Sequence, residues 1–395
     1  VLGLDPDPFR AKCDALITAE GAASDRELDS EALERLAYIY EGLISDEGEE
    51  IADDPVDQLT AASRAVYRSW MGDRACTYRR LEGYEDLKGS AVMVQAMVFG
   101  NRGTSSGSGV AFSRDPSTGA PDPVIDVLFE AQGEDVVSGR RRPQTEKELS
   151  QSAPAVAAEL RGYLARLEQE FKDVQDVEFT IEDGRLWILQ SRAAKRTARA
   201  ALRIAVDFVH EGLYSSQEAL RHLSSLDLRN LTVERFAGSA SPVGRGIGAA
   251  GGVAVGRAAF DAATAERLAS TGDKVILVRP DIDTEDVAGL AAASGALTAM
   301  GGRTAHASLI ARQMGKACVV SCAGLDVDVA ARRAEIDGAP IEEGDWISID
   351  GDTGEVFIGQ REIATERPEA ALAEIEAWRA DAAEHQDQAA LALAE

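Results

Sequence analysis

One run constrains the chain more than any other: Leu297-Thr298-Ala299-Met300-Gly301-Gly302-Arg303-Thr304-Ala305-His306-Ala307-Ser308-Leu309-Ile310-Ala311-Arg312-Gln313-Met314-Gly315. A short apolar strand stops at two glycines, a loop follows, and His306 opens a helix that Gly315 ends. The same alternation of short strands and helices runs from residue 252 onward, through Lys274–Val278, a capped start at Thr284-Glu285-Asp286-Val287, and Cys318-Val319-Val320. That pattern is α/β. The glycine pair permits backbone angles and close approach that a Cβ would forbid. A helix N-terminus presents free N–H groups and partial positive charge, which suits a phosphate. A nucleophilic imidazole must be neutral, and a nearby helix N-terminus helps by disfavouring imidazolium. Arg303 and Arg312 are near enough in sequence to pair with phosphoryl oxygens. This is the layout of a phosphohistidine, although a histidine at a helix start also serves as a cap or a surface residue. His210 and His222 fall in a helical stretch and His385 in a polar tail, where a structural role is the simpler reading.

A second constellation lies upstream. Val177–Ile181 and Leu186–Gln190 read as two strands joined by the turn Glu182-Asp183-Gly184-Arg185. Asp176 and Glu178 are two apart and share a face, as do Gln190 and Arg192. Two acids, an amide and a guanidinium can thus converge. Carboxylates and an amide oxygen suit Mg²⁺ bridging ATP phosphates, and the arginine would meet the transferred phosphoryl group. A solvated hairpin face with cross-strand ion pairs is the other reading. Around it, residues 1–75 read as helices, Ser90–Phe99 as a core strand, Gly100–Gly109 as a turn-rich loop, and Val110–Ser113 and Val124–Ala131 as strands. Residues 145–172 read as one amphipathic helix, 196–240 as helical, 344–358 as strand, turn, strand, and 367–395 as a terminal helix.

Composition limits function. With 41 basic and 68 acidic residues the formal charge is −27, which argues against nucleic acid or an anionic membrane surface. A nucleotide needs only a few local cations and is not excluded. The four cysteines are scattered, and Cys318-x-x-x-Cys322 has no second pair to complete a zinc site. No apolar run reaches the ~20 residues of a membrane span, and the first residues do not read as a signal peptide. The expected location is the cytoplasm.

The run Gly301 to Gly315 resembles the phosphohistidine signature of the PEP-utilising enzymes, and most closely the pyruvate, phosphate dikinase family. Val278-Arg279-Pro280 before it and Gly344–Gly351 after it are similar to the swivelling phosphohistidine domain of that family. The stretch Gln175–Ala198 resembles the metal and phosphate strand pair of the dikinase ATP-grasp domain, as do Val94–Asn101, Gly107–Gly119 and Ala131–Gly139. The resemblance implies His306 as catalytic phosphoacceptor within the loop Gly301, Gly302, Arg303, Thr304 and Arg312. It implies Glu178 and Gln190 near Mg²⁺, Asp176 and Arg192 at the ATP phosphates, and Gln95 and Met97 beside the adenine. Thr304 resembles a threonine that a regulatory kinase phosphorylates in plant members. Two departures are Ala249-Ala250-Gly251-Gly252, where a Pro-Gly pair is usual, and Ala305, where Ser is common.

The expected fold is α/β: a partial ATP-grasp domain, a swivelling β/β/α phosphohistidine domain and a terminal helix. The expected divisions are 1–198, nucleotide-binding with its N-terminal part missing; 199–243, a helical linker; 244–360, the phosphohistidine domain; and 361–395, the tail. The resemblance begins inside the ATP-grasp domain and stops before the pyruvate/PEP barrel. The expectation is therefore an ATP-dependent phosphotransferase that carries a phosphoryl group toward pyruvate/PEP chemistry, incomplete as a single chain. Its ligands would be ATP with Mg²⁺ and inorganic phosphate, with pyruvate or PEP reached through a missing or separate domain, in a homodimer or with a partner chain carrying the barrel. The alternatives are a truncated, non-catalytic phosphocarrier or regulatory paralogue, or a related PEP synthase-type phosphotransferase.

Overall fold

A computed structural model describes residues 4–22, 25–72, 75–76, 79–80, 84, 86–138, 141–282, 286–303 and 305–394. The chain divides into two units, Val1–Ala96 and Met97–Glu395. The first contains the helices Asp7–Glu20, Ser30–Asp46 and Pro55–Ser69. Asp29 caps the second helix through the Ala32 N–H, and Asp54 caps the third, where Pro55 supplies the fixed φ of a first turn.

In the second unit, period-two patterning builds an antiparallel sheet from β1 (Gly107–Phe112), β2 (Val124–Phe129), β3 (Gln144–Thr145), β4 (Gln175–Glu182) and β5 (Arg185–Ala193), in the order β3-β2-β1-β4-β5. Asp183 and Gly184 both take positive φ, the two-residue hairpin that the right-handed strand twist favours. One sheet face, with Ala111, Ile125, Val127, Val177 and Phe179, packs on Leu160 and Leu164 of the helix Pro154–Phe171. The amphipathic stretch expected over 145–172 is two helices, Glu146–Ser152 and Pro154–Phe171. Pro154 has no N–H and starts a new helix rather than continuing one. The helix Ala198–His210 packs against Phe112, Val174 and Ala194. The stretch expected to be helical over 196–240 continues with Ser216–His222 and then a strand, β6 (Val233–Phe236).

A second, eight-stranded sheet holds β7 (Gly244–Arg245), β8 (Ile247–Ala250), β9 (Val253–Ala259), β10 (Val275–Arg279), β11 (Gly295–Thr298), β12 (Ala317–Val320), β16 (Trp346–Asp350) and β17 (Glu355–Ile358), ordered β7-β17-β16-β9-β10-β11-β12-β8. Strands β9 to β12 run parallel, joined through the helices Ala262–Ser270, Val287–Ala292 and His306–Gln313. Both faces are covered. Helix residues Ala265, Leu290 and Ala311 pack with Val275, Leu277 and Val320. Ile276, Val278 and Val319 pack with Ile336 and Ile341 of a three-stranded sheet, β13 (Leu325–Asp328), β14 (Arg333–Ile336) and β15 (Ala339–Glu342). Two-sided burial is why these strands read as continuous apolar runs. A last strand, β18 (Ile363–Glu366), pairs with β6, and the helix Glu369–Ala394 follows.

The expected strand Ser90–Phe99 is not formed: residues 87–99 take neither helix nor strand, and Met93, Val94 and Met97 are well exposed. A strand exists through its ladder, and no described strand pairs with this segment. Within the second unit, the Phe99 N–H donates to Glu182 and the Gly100 N–H to Gln132. Among the described residues no helix is long and apolar enough to cross a membrane.

Candidate active site

The hairpin β4–β5 sets Asp176 opposite Arg192 and Glu178 opposite Gln190. Directly opposed residues of an antiparallel pair share a face, so the four polar groups stand together. Arg192 Nε donates to Asp176 Oδ2 at 2.8 Å, and its Nη2 lies 3.9 Å from Glu178 Oε1. Between Glu178 and Phe179 the register shifts, leaving Leu189 unpaired beside Gln190. Such a bulge re-aims the side chain next to it.

The same face continues across the sheet. Glu178 is opposite Val110, and Val110 is opposite Asp126; Asp176 is opposite Phe112. Asp126 therefore lies two strands from Glu178, roughly 10 Å at the usual strand spacing. Asp126 is buried, 1% exposed, in the apolar strand Val124–Phe129. A carboxylate in such a place needs partners, and the loop before His306 supplies them. The Arg303 N–H donates to Asp126 Oδ2 at 2.7 Å, and Arg303 Nη1 is 3.7 Å from Oδ1. Burial pushes the Asp126 carboxyl above the usual carboxylate range, against the pull of Arg303 and its N–H.

The loop is held from within. Gly301 takes φ +113°, the region glycine favours. Gly302 makes the close approach: a Cβ there would sit 3.0 Å from Pro143 Cγ and 3.2 Å from Asp126 Oδ2. Ser308 Oγ donates to the Gly302 carbonyl at 2.6 Å and Ser321 Oγ to the Gly301 carbonyl at 2.5 Å. His306 opens its helix from the carboxyl end of β11, where ligands bind in open parallel sheets. The residue before it, Ala305, offers no side-chain cap, and a helix N-terminus carries the partial positive charge that suits an anion. Thr304 and the side chain of His306 lie outside the described residues.

Arg303 and Arg312 use their guanidinium groups inside the fold. Arg303 Nε donates to the Gly248 carbonyl at 3.0 Å, and Arg312 Nη2 to the Ala249 carbonyl at 2.6 Å. Arg312 is buried and sits 5.7 Å above the Phe112 ring, so it too rests on the face that bears Asp176. Burial lowers its pKa, with Asp115 and Asp176 among the charges that oppose the shift. Gln95 and Met97 are exposed, one at the end of the first unit and one at the start of the second.

Two carboxylates and an amide oxygen on one face are hard donors of the kind that hold Mg²⁺ together with substrate phosphates and water. Asp176 Oδ1 is buried without a hydrogen-bond partner, which leaves one acceptor available. The donor set fits such an ion. Among the described residues no three or more His, Cys, Asp and Glu gather as a metal cluster. Asp126 and the bulge at Leu189 were not anticipated from sequence. The signal for Asp126 was present, a lone acid inside the run Val-Ile-Asp-Val-Leu-Phe; nothing in the sequence marked the bulge.

Two family models match the chain. Residues 53–156 and 145–212 match the family described as pyruvate phosphate dikinase, AMP/ATP-binding domain, and residues 271–354 match the PEP-utilising enzyme, mobile domain. The chain is 39% identical over 384 residues to pyruvate, phosphate dikinase of Clostridium symbiosum, covering 96% of this chain and 44% of that protein. It is 40% identical over 369 residues to the chloroplastic pyruvate, phosphate dikinase 1 of Arabidopsis thaliana, covering 92% and 38%. With pyruvate, phosphate dikinase 2 of Zea mays the identity is 40% over 361 residues, covering 90% and 41%. The chain thus spans less than half the length of these curated relatives.

Proposed function

Because the chain belongs, over the stretch it shares with them, to the pyruvate, phosphate dikinase family, we propose that it is a phosphotransferase that moves the β-phosphoryl group of ATP onto His306. The observation that carries this reading is the single sheet face shared by Asp176, Glu178, Gln190, Arg192 and the Asp126 that grips the His306 loop. It sets Glu178 about 10 Å from Asp126, the residue that holds the loop before His306.

Glu178 and Gln190 would hold Mg²⁺, which would neutralise charge on the triphosphate. Asp176 orients Arg192, whose guanidinium meets phosphoryl oxygens. The neutral His306 imidazole attacks Pβ. The N–P bond forms, the bond from Pβ to the α-bridging oxygen breaks, and AMP leaves. Inorganic phosphate then takes the γ-group as diphosphate, and one phosphoryl remains on His306. The N-terminus of the helix His306–Gln313 stabilises that anion. Gln95 and Met97 border the adenine, and Arg303 and Arg312 hold the loop's shape as well as its charge. Residues 1–198 act as the nucleotide-binding part, 199–243 as the linker, 244–360 as the carrier and 361–395 as the tail. Delivery to pyruvate, giving PEP, is the next step that the family relation supports, and it takes place in the cytoplasm, on a barrel in the same protein or on a partner chain.

The test is AMP release. In a single turnover with Mg²⁺, ATP and phosphate, about one AMP per chain is expected, reduced on the order of a hundredfold in Glu178→Gln. Release of ADP instead of AMP would overturn the assignment of Pβ.

A further inference from the structure

We propose that the ion pair between Arg199 and Asp352 is a docking latch, which holds the carrier sheet against the nucleotide-binding sheet and so positions the His306 loop without touching the reacting groups. Its catalytic consequence rests on the proposed role of His306; the latch itself rests on geometry.

Arg199 is anchored to the nucleotide-binding side. It lies in the first turn of Ala198–His210, whose N-cap Thr197 accepts from the Ala200 N–H and donates to the Ser117 carbonyl at 2.7 Å. Arg199 Nη2 reaches the same carbonyl at 3.3 Å. Gly119 in that turn abuts the helix so closely that a Cβ would stand 2.9 Å from the Ala200 carbonyl oxygen. The buried face of the helix packs on Phe112, Val174 and Ala194. The arginine is therefore carried by the sheet that bears Asp176.

Asp352 is anchored to the other sheet. It sits in the turn between β16 and β17, and its N–H donates to Asp350 Oδ1 at 2.9 Å. A Cβ at Gly351 would collide with the Ala250 carbonyl, and one at Gly354 with the Gly246 carbonyl, so the turn lies directly on β8. The carbonyls of β8 in turn hold the loop: Gly248 accepts from Arg303 and Ala249 from Arg312. One short strand thus joins Asp352 to the arginines that flank His306.

The pair itself is a fork, Nη2–Oδ1 at 2.6 Å and Nη1–Oδ2 at 3.0 Å, a geometry that fixes orientation as well as distance. Its side chains are about one-fifth exposed, 21% and 19%, and border a cavity of about 580 Å³. Water can reach them when the pair parts, so opening does not strand a charge in a dry interior. With Arg303 on Asp126 this makes two separated tethers, enough to set an angle as well as a contact.

The experiment measures the distance between probes at Tyr163 and Ile358, both exposed, by double electron–electron resonance. Both are changed to Cys in a background with Cys13 and Cys76 replaced by Ser; Cys318 and Cys322 are buried. Wild type should give one dominant short distance. Arg199→Glu and Asp352→Arg should each cut that population at least fivefold, and the double exchange should restore at least half of it, with the rate of His306 phosphorylation following the docked fraction. Asp352→Asn, which keeps the shape, serves if a reversal fails to fold, and should also lower the docked fraction. Folded single variants that keep the wild-type distance, or an exchange no better than either single variant, would overturn the latch. Distances that respond as stated in a chain whose His306 takes no phosphoryl group would support the latch and refute the phosphoacceptor reading instead.

Discussion

The Arg303 N–H and Asp126 Oδ2 are 2.7 Å apart, and that bond ties the loop before His306 to a strand on the face that bears Glu178. Asp126 is buried, and burial raises its pKa. The folded chain then holds that proton more tightly than the unfolded chain does. Its contribution to stability is fullest below the unfolded pKa and is lost as pH rises through the higher folded one. Asp126→Asn removes that dependence and keeps an acceptor for the Arg303 N–H. The melting temperature of the variant minus that of wild type should therefore rise from pH 4 to pH 7. A flat or falling difference would show that Asp126 is not held above its ordinary range.

Arg192 is about half exposed, and its pairing with Asp176 contributes little to folding, within about 1 kcal/mol. Its proposed work is at the phosphates. Arg192→Ala should slow phosphorylation of His306 on the order of a hundredfold while shifting the melting temperature by only a few degrees. Arg192→Lys, which lacks the planar fork, should recover only a small part of the rate. Equal phosphorylation rates in wild type and Arg192→Ala would remove Arg192 from the site.

Arg114 shows the opposite balance. It is buried, bonded to Glu168 at 2.9 and 3.1 Å and to Glu211 at 2.5 Å, and stacked 4.6 Å from the Phe208 ring. Arg114→Ala strands Glu168 in the interior and should cost about 3–5 kcal/mol, read from the urea midpoint. Replacing Arg114 and Glu168 together by Met should recover much of that loss, because no charge is then left unpaired in the interior; Glu211, which also loses Arg114, is 42% exposed and stays in water.

The hairpin of Asp176, Glu178, Gln190 and Arg192 was legible in sequence because a period of two and an Asp-Gly turn determine which side chains share a face. The loop at 301–315 was legible because glycines and a helix start are local signals. What was not legible depends on partners distant in sequence. Asp126 acquires its importance only when Arg303, 177 residues away, reaches it. Arg303 and Arg312 read as phosphate ligands from their spacing, yet each also donates to a carbonyl of β8, Gly248 and Ala249 respectively. Ser90–Phe99 has the composition of a core strand, but a strand needs a neighbour to complete its ladder. Pro154 breaks a pattern that periodicity alone ran through.

The most direct measurement is the position of label after incubation with Mg²⁺ and ATP carrying ³²P at the β position. Wild type should acquire acid-labile, base-stable label in the peptide containing His306, and His306→Ala should acquire none while still binding ATP. Label that persists in His306→Ala, or a wild-type chain that takes none, would contradict the assignment of His306 as the phosphoryl carrier.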